Sequence, residues 1–199
     1  MTLNILTTII IFLFPLAFSP GPGNIFFAIN GARFGYAKTV RASLGYHIAT
    51  WIVTYTIGIL FLAGLSTVPE YIKYIKYLGS LYIIYLSFIL FRAGNITEKN
   101  TAKPAHFIDG VLSLILNPKA YIIIVLLFTQ FMTDDPNINY FYILVVTTIF
   151  TLNNFVAFSI YTIAGDFLLM NFRNTSKARS LNKIFGSTLF FVAIWILIS

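Results

Sequence analysis

The sequence contains no cysteine, and charged side chains of either sign are scarce. The absence of cysteine excludes disulfide bridges, thiolate metal sites and dithiol redox chemistry. Charged residues make up 10% of the 199 positions and hydrophobic residues 58%, whereas a soluble domain carries about 25% charge. So few charges cannot cover so much apolar surface in water. The composition therefore indicates an integral membrane protein and excludes a disordered chain or a soluble catalytic domain.

Six apolar runs follow one another along the chain. They lie at about 3–29, 40–64, 68–91, 107–131, 140–165 and 181–198. Each is long enough for a helix that crosses a bilayer, which takes about 20 apolar residues. Strands of a membrane barrel are shorter and alternate in polarity. No basic residue precedes the first run, so we expect a retained span and no signal peptide. The sequence predicts an all-α polytopic membrane protein with six transmembrane helices.

The basic residues are distributed unevenly between the two faces of this arrangement. Ten of them fall on one face: Arg33, Lys38, Arg41, Arg92, Lys99, Lys103, Arg173, Lys177, Arg179 and Lys183. The other face has Lys73, Lys76, Asp134 and Asp135. Because basic loops stay in the cytoplasm, we expect a multi-pass protein of the cell membrane with both termini extracytoplasmic.

The two halves of the chain resemble each other. Lys76, Gly79 and Ser80 align with Lys183, Gly186 and Ser187, and His47 aligns with Asn154, all at a spacing of 107 residues. Three spans per half require the second half to be inverted, a pattern typical of secondary transporters. We therefore predict one transmembrane domain over 1–199, with repeats at about 1–94 and 107–199 and a cytoplasmic linker at about 95–106.

The first span is interrupted by two prolines and two glycines, Pro20, Gly21, Pro22 and Gly23, followed by Asn24. Proline leaves the carbonyl four residues before it without a helical partner, here those of Leu16 and Phe18. An orphaned carbonyl is costly in lipid, so the break must face protein or a wet cavity. A simple kink, the alternative, would need only one proline.

The fourth span is interrupted at Asn117, Pro118 and Lys119. Asparagine favours the N-cap and proline the first helical position, so a new helix is predicted to start here. Helix N-termini attract anions, and Lys119 adds a positive charge near the middle of its span. An intramembrane charge indicates a functional site. The alternative is a structural lysine bonded to a freed carbonyl such as that of Leu114.

Polar residues form a stripe on each of two further spans. Ser43, His47, Thr50 and Thr54 share one helical face of the second span, and Thr147, Thr151 and Asn154 share one of the fifth. Candidates for a pathway or for proton coupling are His47, Thr50, Thr54, Thr151, Asn154 and Asp109. The alternatives are packing for the threonines and an interfacial position for the histidine.

These motifs together resemble the LysE/RhtB family of amino-acid exporters over nearly the whole chain. Residues 19–22, Ser-Pro-Gly-Pro, are similar to the family's Pro-Gly-Pro-Asn signature, and Gly31, Gly35 and Gly45 to its glycine-rich first loop. Residues 116–120, Leu-Asn-Pro-Lys-Ala, followed by 130–131, Gln-Phe, resemble its second pattern. The chain departs from the family at Gly23, where Asn or Asp is usual, and at Thr129, where proline is usual.

The resemblance implies export of amino acids or similar small metabolites in exchange for protons. The expected substrate site comprises Pro20, Gly21, Pro22, Gly23, Asn24, Asn117, Pro118 and Lys119. Lys119 and the restarted helices would bind the carboxylate, and carbonyls near Leu16, Phe18 and Leu114 the ammonium. We expect no catalytic residue, metal or cofactor. The expected partners are a small-molecule substrate and the lipid bilayer, with a homo-oligomer possible and no nucleic acid.

Three other functions are compatible with a small membrane protein. A divalent metal-ion exporter would need several oxygen ligands, usually carboxylates, and no span has a central Asp or Glu. A membrane enzyme would need a nucleophile beside a base, whereas His47 and His106 lie in different spans. A non-catalytic assembly subunit would not require two helix breaks at matching depths.

Overall fold

The computed structural model describes residues 3–63, 103–132 and 138–170, and single positions within 74–88 and 183–194. Over these residues it contains no strand. The continuous ranges form α1 (Leu3–Phe18), α2 (Pro22–Phe34), α3 (Tyr36–Leu62), α4 (Phe107–Ile115), α5 (Pro118–Phe131) and α6 (Tyr140–Met170). The prediction of an all-α protein is confirmed.

Two of the spans are bent pairs of helices. α1 and α2 meet at 63°, and α4 and α5 meet at 62°. The second helix of each pair begins with proline, Pro22 or Pro118, because proline has no N–H to leave unbonded at that position. α3 and α6 are each long and apolar enough to cross a membrane unbroken. The predicted breaks in the first and fourth spans are confirmed, and the chain is a polytopic membrane protein.

The third and sixth predicted spans lie mostly outside the described residues. The single positions described within them are helical. The two runs are in contact: the Ser87 hydroxyl donates to the Gly186 carbonyl at 2.9 Å. Lys73, Lys76, Gly79, residues 89–102, Asp134, Asp135 and residues 171–182 also lie outside the described part, as do the expectations that concern them.

The connection between the first two spans is shorter than predicted. We expected a basic loop at about 30–39, but α2 continues to Phe34 and only Gly35 separates it from α3. Gly35 has φ +85°, a backbone angle that residues with a Cβ rarely adopt. The free N–H of Tyr36 donates to Oδ2 of Asp166 on α6 at 3.1 Å. The prediction was wrong because basic residues and glycine lower the hydropathy of a segment without ending its helix.

Close contacts between helix backbones hold together one half of the bundle, which we call the glycine half. It comprises α2, α4, the first part of α3 and the last part of α6. A Cβ on Gly31 would strike the carbonyl of Thr162, and one on Gly165 would strike that of Ala28. Gly45 and Gly110 allow the same approach between α3 and α4. Small residues are what lets membrane helices come this close.

Large side chains fill the opposite half, which we call the aliphatic half. It comprises α1, α5, the last part of α3 and the first part of α6. Its buried core consists of Ile9, Leu13, Ile57, Tyr121, Ile123, Ile124, Leu127, Phe128, Ile143, Val146 and Phe150. The two helix breaks lie at the boundary between these halves.

Candidate functional site

The two helix breaks touch each other. Lys119, in the first turn of α5, donates from Nζ to the carbonyl oxygen of Ser19 in the first break. A Cβ on Gly21 would lie 2.7 Å from Cδ of Lys119, and one on Gly23 would lie 3.0 Å from Nδ2 of Asn117. The glycines of the first break therefore leave the space that side chains of the second break occupy.

The carbonyls that the breaks release are bonded within the protein. We expected those of Leu16, Phe18 and Leu114 to be available to a substrate ammonium. Each already accepts a hydrogen bond, from the Ser19 hydroxyl at 2.9 Å, the Tyr161 hydroxyl at 2.9 Å and the Asn117 N–H at 2.8 Å respectively. The carbonyl that meets a cation is that of Ser19 instead.

Asn117 stands at the N-cap of α5, as predicted, but its side chain makes no cap hydrogen bond. Nδ2 donates to the hydroxyl of Tyr46 on α3 at 3.1 Å. Its Oδ1 is buried and has no hydrogen-bond partner in the described part of the chain. An unsatisfied buried acceptor is costly, so this oxygen marks a place where a ligand donor would be favourable.

Asn24 reaches the same site although it follows the family's usual position by one residue. It is buried in the first turn of α2, and its Nδ2 donates to the carbonyl of Ala17 at 2.9 Å. A side chain at Gly23 would have to displace Phe158, whose Cζ lies 2.9 Å from the position of its Cβ. The shift from Gly23 to Asn24 therefore fits the space around the break.

A pocket of about 10 Å³ lies between the breaks. It is lined by Leu16, Ala17, Asn24, Tyr46, Asn117, Lys119, Ala120, Ile123, Asn154 and Phe158. Lys119 is the one charged residue among these, and the partly positive first turns of α2 and α5 add to its charge. The volume is room for about one water molecule, so binding of a larger ligand requires the side chains to move apart.

Most of the predicted site residues gather here. Gly21, Gly23 and Asn24 of the first break meet Asn117 and Lys119 of the second. Pro22 and Pro118 begin the two helices, Asn154 lines the pocket, and Pro20 is exposed beside it.

The remaining candidates lie apart from the pocket lining. Thr50 and Thr151 are bonded to carbonyls of their own helices, and His47 and Thr54 lie on α3 away from the lining. Asp109 lies in the first turn of α4, where its Oδ2 accepts the backbone N–H of His106 at 2.7 Å. This carboxylate acts in the structure as a helix cap.

Three aromatic residues of the site were missed from the sequence. Tyr46 binds Asn117, Phe158 covers the pocket, and Tyr161 bonds the first break. Phe158 and Tyr161 continue the helical face of Thr151 and Asn154 at four and seven residues beyond Asn154, so the spacing of the polar stripe was a usable signal. Tyr46 has no comparable signal, since it lies next to the polar stripe of α3.

The described residues contain no group of three or more His, Asp or Glu side chains that could hold a metal ion. No curated protein matches the chain, and no solved structure does. The family model described as LysE type translocator matches residues 14–199. That match covers nearly all of the chain, including both helix breaks, α3 and α6. The chain belongs to the LysE type translocator family and is a membrane transporter.

Proposed function

We propose that the protein exports amino acids, or similar small metabolites with one carboxylate and one ammonium group, and that the two helix breaks bind them. The observation that carries the proposal is the contact of Lys119 Nζ with the Ser19 carbonyl. This pair offers a cation and an acceptor side by side. A zwitterion can insert between them and satisfy both.

The carboxylate has a complementary partner in Lys119. The first turns of α2 and α5 favour an anion at the same place. Among the described residues, no acidic side chain lines the pocket to compete with it. An incoming carboxylate would take Lys119 from Ser19, and a charge-assisted hydrogen bond would replace a bond to a neutral carbonyl.

The ammonium has two acceptors at the helix breaks. The Ser19 carbonyl is released when Lys119 turns to the carboxylate, and Asn117 Oδ1 is buried without a partner. Both belong to residues on the breaks, so binding of one substrate would engage both repeats. This arrangement supports an α-amino acid over a simple carboxylic acid or an amine.

Transport would proceed by alternating access between the two inverted repeats, with exchange for protons. We place the protein in the cell membrane with the glycine half towards the cytoplasm, as the distribution of basic residues suggests. Opening towards the cytoplasm would separate backbone contacts such as that of Gly165 with Ala28. Opening to the outside would separate large side chains such as Ile124 and Ile143.

The experiment measures exchange of labelled amino acids in proteoliposomes made with the full chain. A growth screen with amino acids and dipeptides, with and without the gene, first selects the substrate. We then compare the free amino acid with its methyl ester, which lacks the negative charge. Wild type should prefer the free acid, and Lys119→Met should lose about tenfold or more of that preference because a charged hydrogen bond is removed.

The ratio of acid to ester does not depend on how much protein folds, which protects the test from a loss of stability. Lys119→Arg should keep part of the preference, since it keeps the charge. Lys103→Met, an exposed lysine before α4, is the matched control and should behave as wild type. An unchanged preference in Lys119→Met would exclude this lysine as the carboxylate partner.

A further inference from the structure

Several buried polar atoms on α3 and α6 have no hydrogen-bond partner among the described residues. Three of them are Nε2 of His47 and the hydroxyl oxygens of Thr54 and Thr147. His47 is 6% exposed and both threonines are 0% exposed. Buried polar atoms are nearly always bonded to protein or to water, so each of these needs a partner that the described part of the chain does not supply.

The two threonines face each other across the antiparallel helices. The indole N–H of Trp51 donates to the Thr148 hydroxyl at 3.2 Å. Further along, a Cβ on Gly58 would meet the side chain of Ile143. These two contacts fix the register of α3 on α6, and the pair Thr54 and Thr147 falls between them.

Other threonines on the same helices satisfy their hydroxyls locally. Thr50 donates to the Tyr46 carbonyl at 2.8 Å, and Thr56 donates to the Ile52 carbonyl at 2.9 Å. This bond within the helix is the usual solution for threonine in a membrane span. Thr54 and Thr147 do not make it, so their hydroxyls are directed elsewhere.

The hydrogen bonds of His47 fix the form of its neutral ring. Nδ1 lies 2.7 Å from the carbonyl oxygen of Ser43, which can only accept, so Nδ1 carries the proton. Nε2 therefore has a free lone pair. The backbone of Asn154 lies near the ring but completes no hydrogen bond with Nε2. This nitrogen can accept a proton without breaking any bond in the protein.

A cavity of about 90 Å³ lies between the same two helices in the glycine half. Its wall is mostly apolar, and the hydroxyl-bearing residues along it are Tyr36, Thr39, Ser43, Ser159 and Thr162. The Ser43 hydroxyl also lies 3.3 Å from Nδ1 of His47. The volume is room for several water molecules, and Ser43 is the lining residue that contacts the histidine.

This polar row is separate from the amino-acid pocket. The ring of Phe158 lines that pocket and packs against His47 with 5.6 Å between ring centroids. The groups that face His47 are Phe27 of α2, Ser43 and Tyr46 of α3, and Asn154, Phe155 and Phe158 of α6. Tyr46 is the one titratable group among them, and none is charged.

We propose that buried water occupies the row from the cavity past His47 to Thr54 and Thr147, and that this row carries the coupled proton apart from the substrate. A hydrated proton would add to the lone pair of Nε2, which gives an imidazolium, and would return from Nε2 to water. The proton-carrying role of the row rests on the proposed exchange function. The hydration of the row does not.

The first test detects the water directly and needs no transport. Radiolytic labelling of the full chain in ¹⁸O-water marks side chains that touch bound water. His47 should label well above Leu13, which is also buried but lies in the apolar core of the aliphatic half. Equal labelling of the two residues would overturn the proposal.

The second test separates proton coupling from substrate binding. The double variant Thr54→Val, Thr147→Val keeps the shape of both side chains and removes both hydroxyls. Exchange of labelled amino acid at equal pH should stay within about twofold of wild type, because neither hydroxyl lines the pocket. Accumulation driven by a pH gradient should fall about tenfold, a typical coupling between two sites.

Thr56→Val is the matched control, since its hydroxyl is exposed to the outside of α3 and bonded within the helix. Gradient-driven accumulation that persists in the double variant would overturn the proton role. If wild type exchanges no amino acid at all, the proposed function fails, and the labelling of His47 still decides whether the row is hydrated.

Discussion

At the scale of single residues, the first helix break depends on side chains that take over the bonds of the helix. Ser19 bonds the carbonyl of Leu16 from within the break. Tyr161 bonds the carbonyl of Phe18 from α6, 143 residues away in the chain. The break is therefore held both by its own sequence and by α6.

We expect Tyr161→Phe to destabilise the protein by about 1–3 kcal/mol, because a carbonyl inside the membrane protein loses its partner. Thermal unfolding in detergent measures the effect. Tyr140→Phe, at the exposed start of α6, removes the same hydroxyl where water or headgroups can replace it. Equal melting temperatures of the two variants would show that the bond to Phe18 contributes nothing.

At the scale of the elements, α6 packs closely against α2 in the glycine half. Gly165 lies against the backbone of Ala28, and Gly31 lies against that of Thr162. Backbone atoms cannot move aside as the end of a flexible side chain can. A methyl group at either glycine must push α2 and α6 apart.

Gly165→Ala should therefore cost about 1–3 kcal/mol, the usual effect of overpacking. The control is Ala164→Val, which enlarges the neighbouring exposed position on the same helix. Thermal unfolding and helical content in detergent compare them. If both variants have the same melting temperature, α2 and α6 are not in contact at this glycine.

Local rules of helix formation predicted the elements well and their contacts poorly. The start of α5 at Pro118 could be predicted because proline and the preceding asparagine act on their own backbone. The bond of Asn117 to Tyr46 could not, since it joins residues 71 apart in the chain. The space that Gly21 leaves for Lys119 could not be predicted either. A glycine in a sequence does not show whether it is needed for a turn or for the close approach of another side chain.

At the scale of the whole molecule, the orientation of the bundle in the membrane can be tested with one residue at each end. α3 begins in the glycine half and α6 begins in the aliphatic half, so Lys38 and Tyr140 mark opposite ends of the bundle. Both are exposed. The natural chain contains no cysteine, so a single introduced thiol reports its own position without background.

We expect Tyr140→Cys to react with a membrane-impermeant thiol reagent in intact cells. Lys38→Cys should react only after the membrane is opened, because basic ends stay in the cytoplasm. Mass spectrometry of the labelled chain gives the extent of reaction. The reverse pattern would place the termini in the cytoplasm and invert the predicted topology.

The interlocking of the two breaks has a consequence for which substitutions each break can accept. Gly21 and Gly23 in the first break leave the room that Lys119 and Asn117 of the second break occupy. A larger residue at either glycine becomes tolerable only after its neighbour in the other break has become smaller, so the order in which such mutations arise matters. The first break supplies the space, and the second supplies the side chains that fill it.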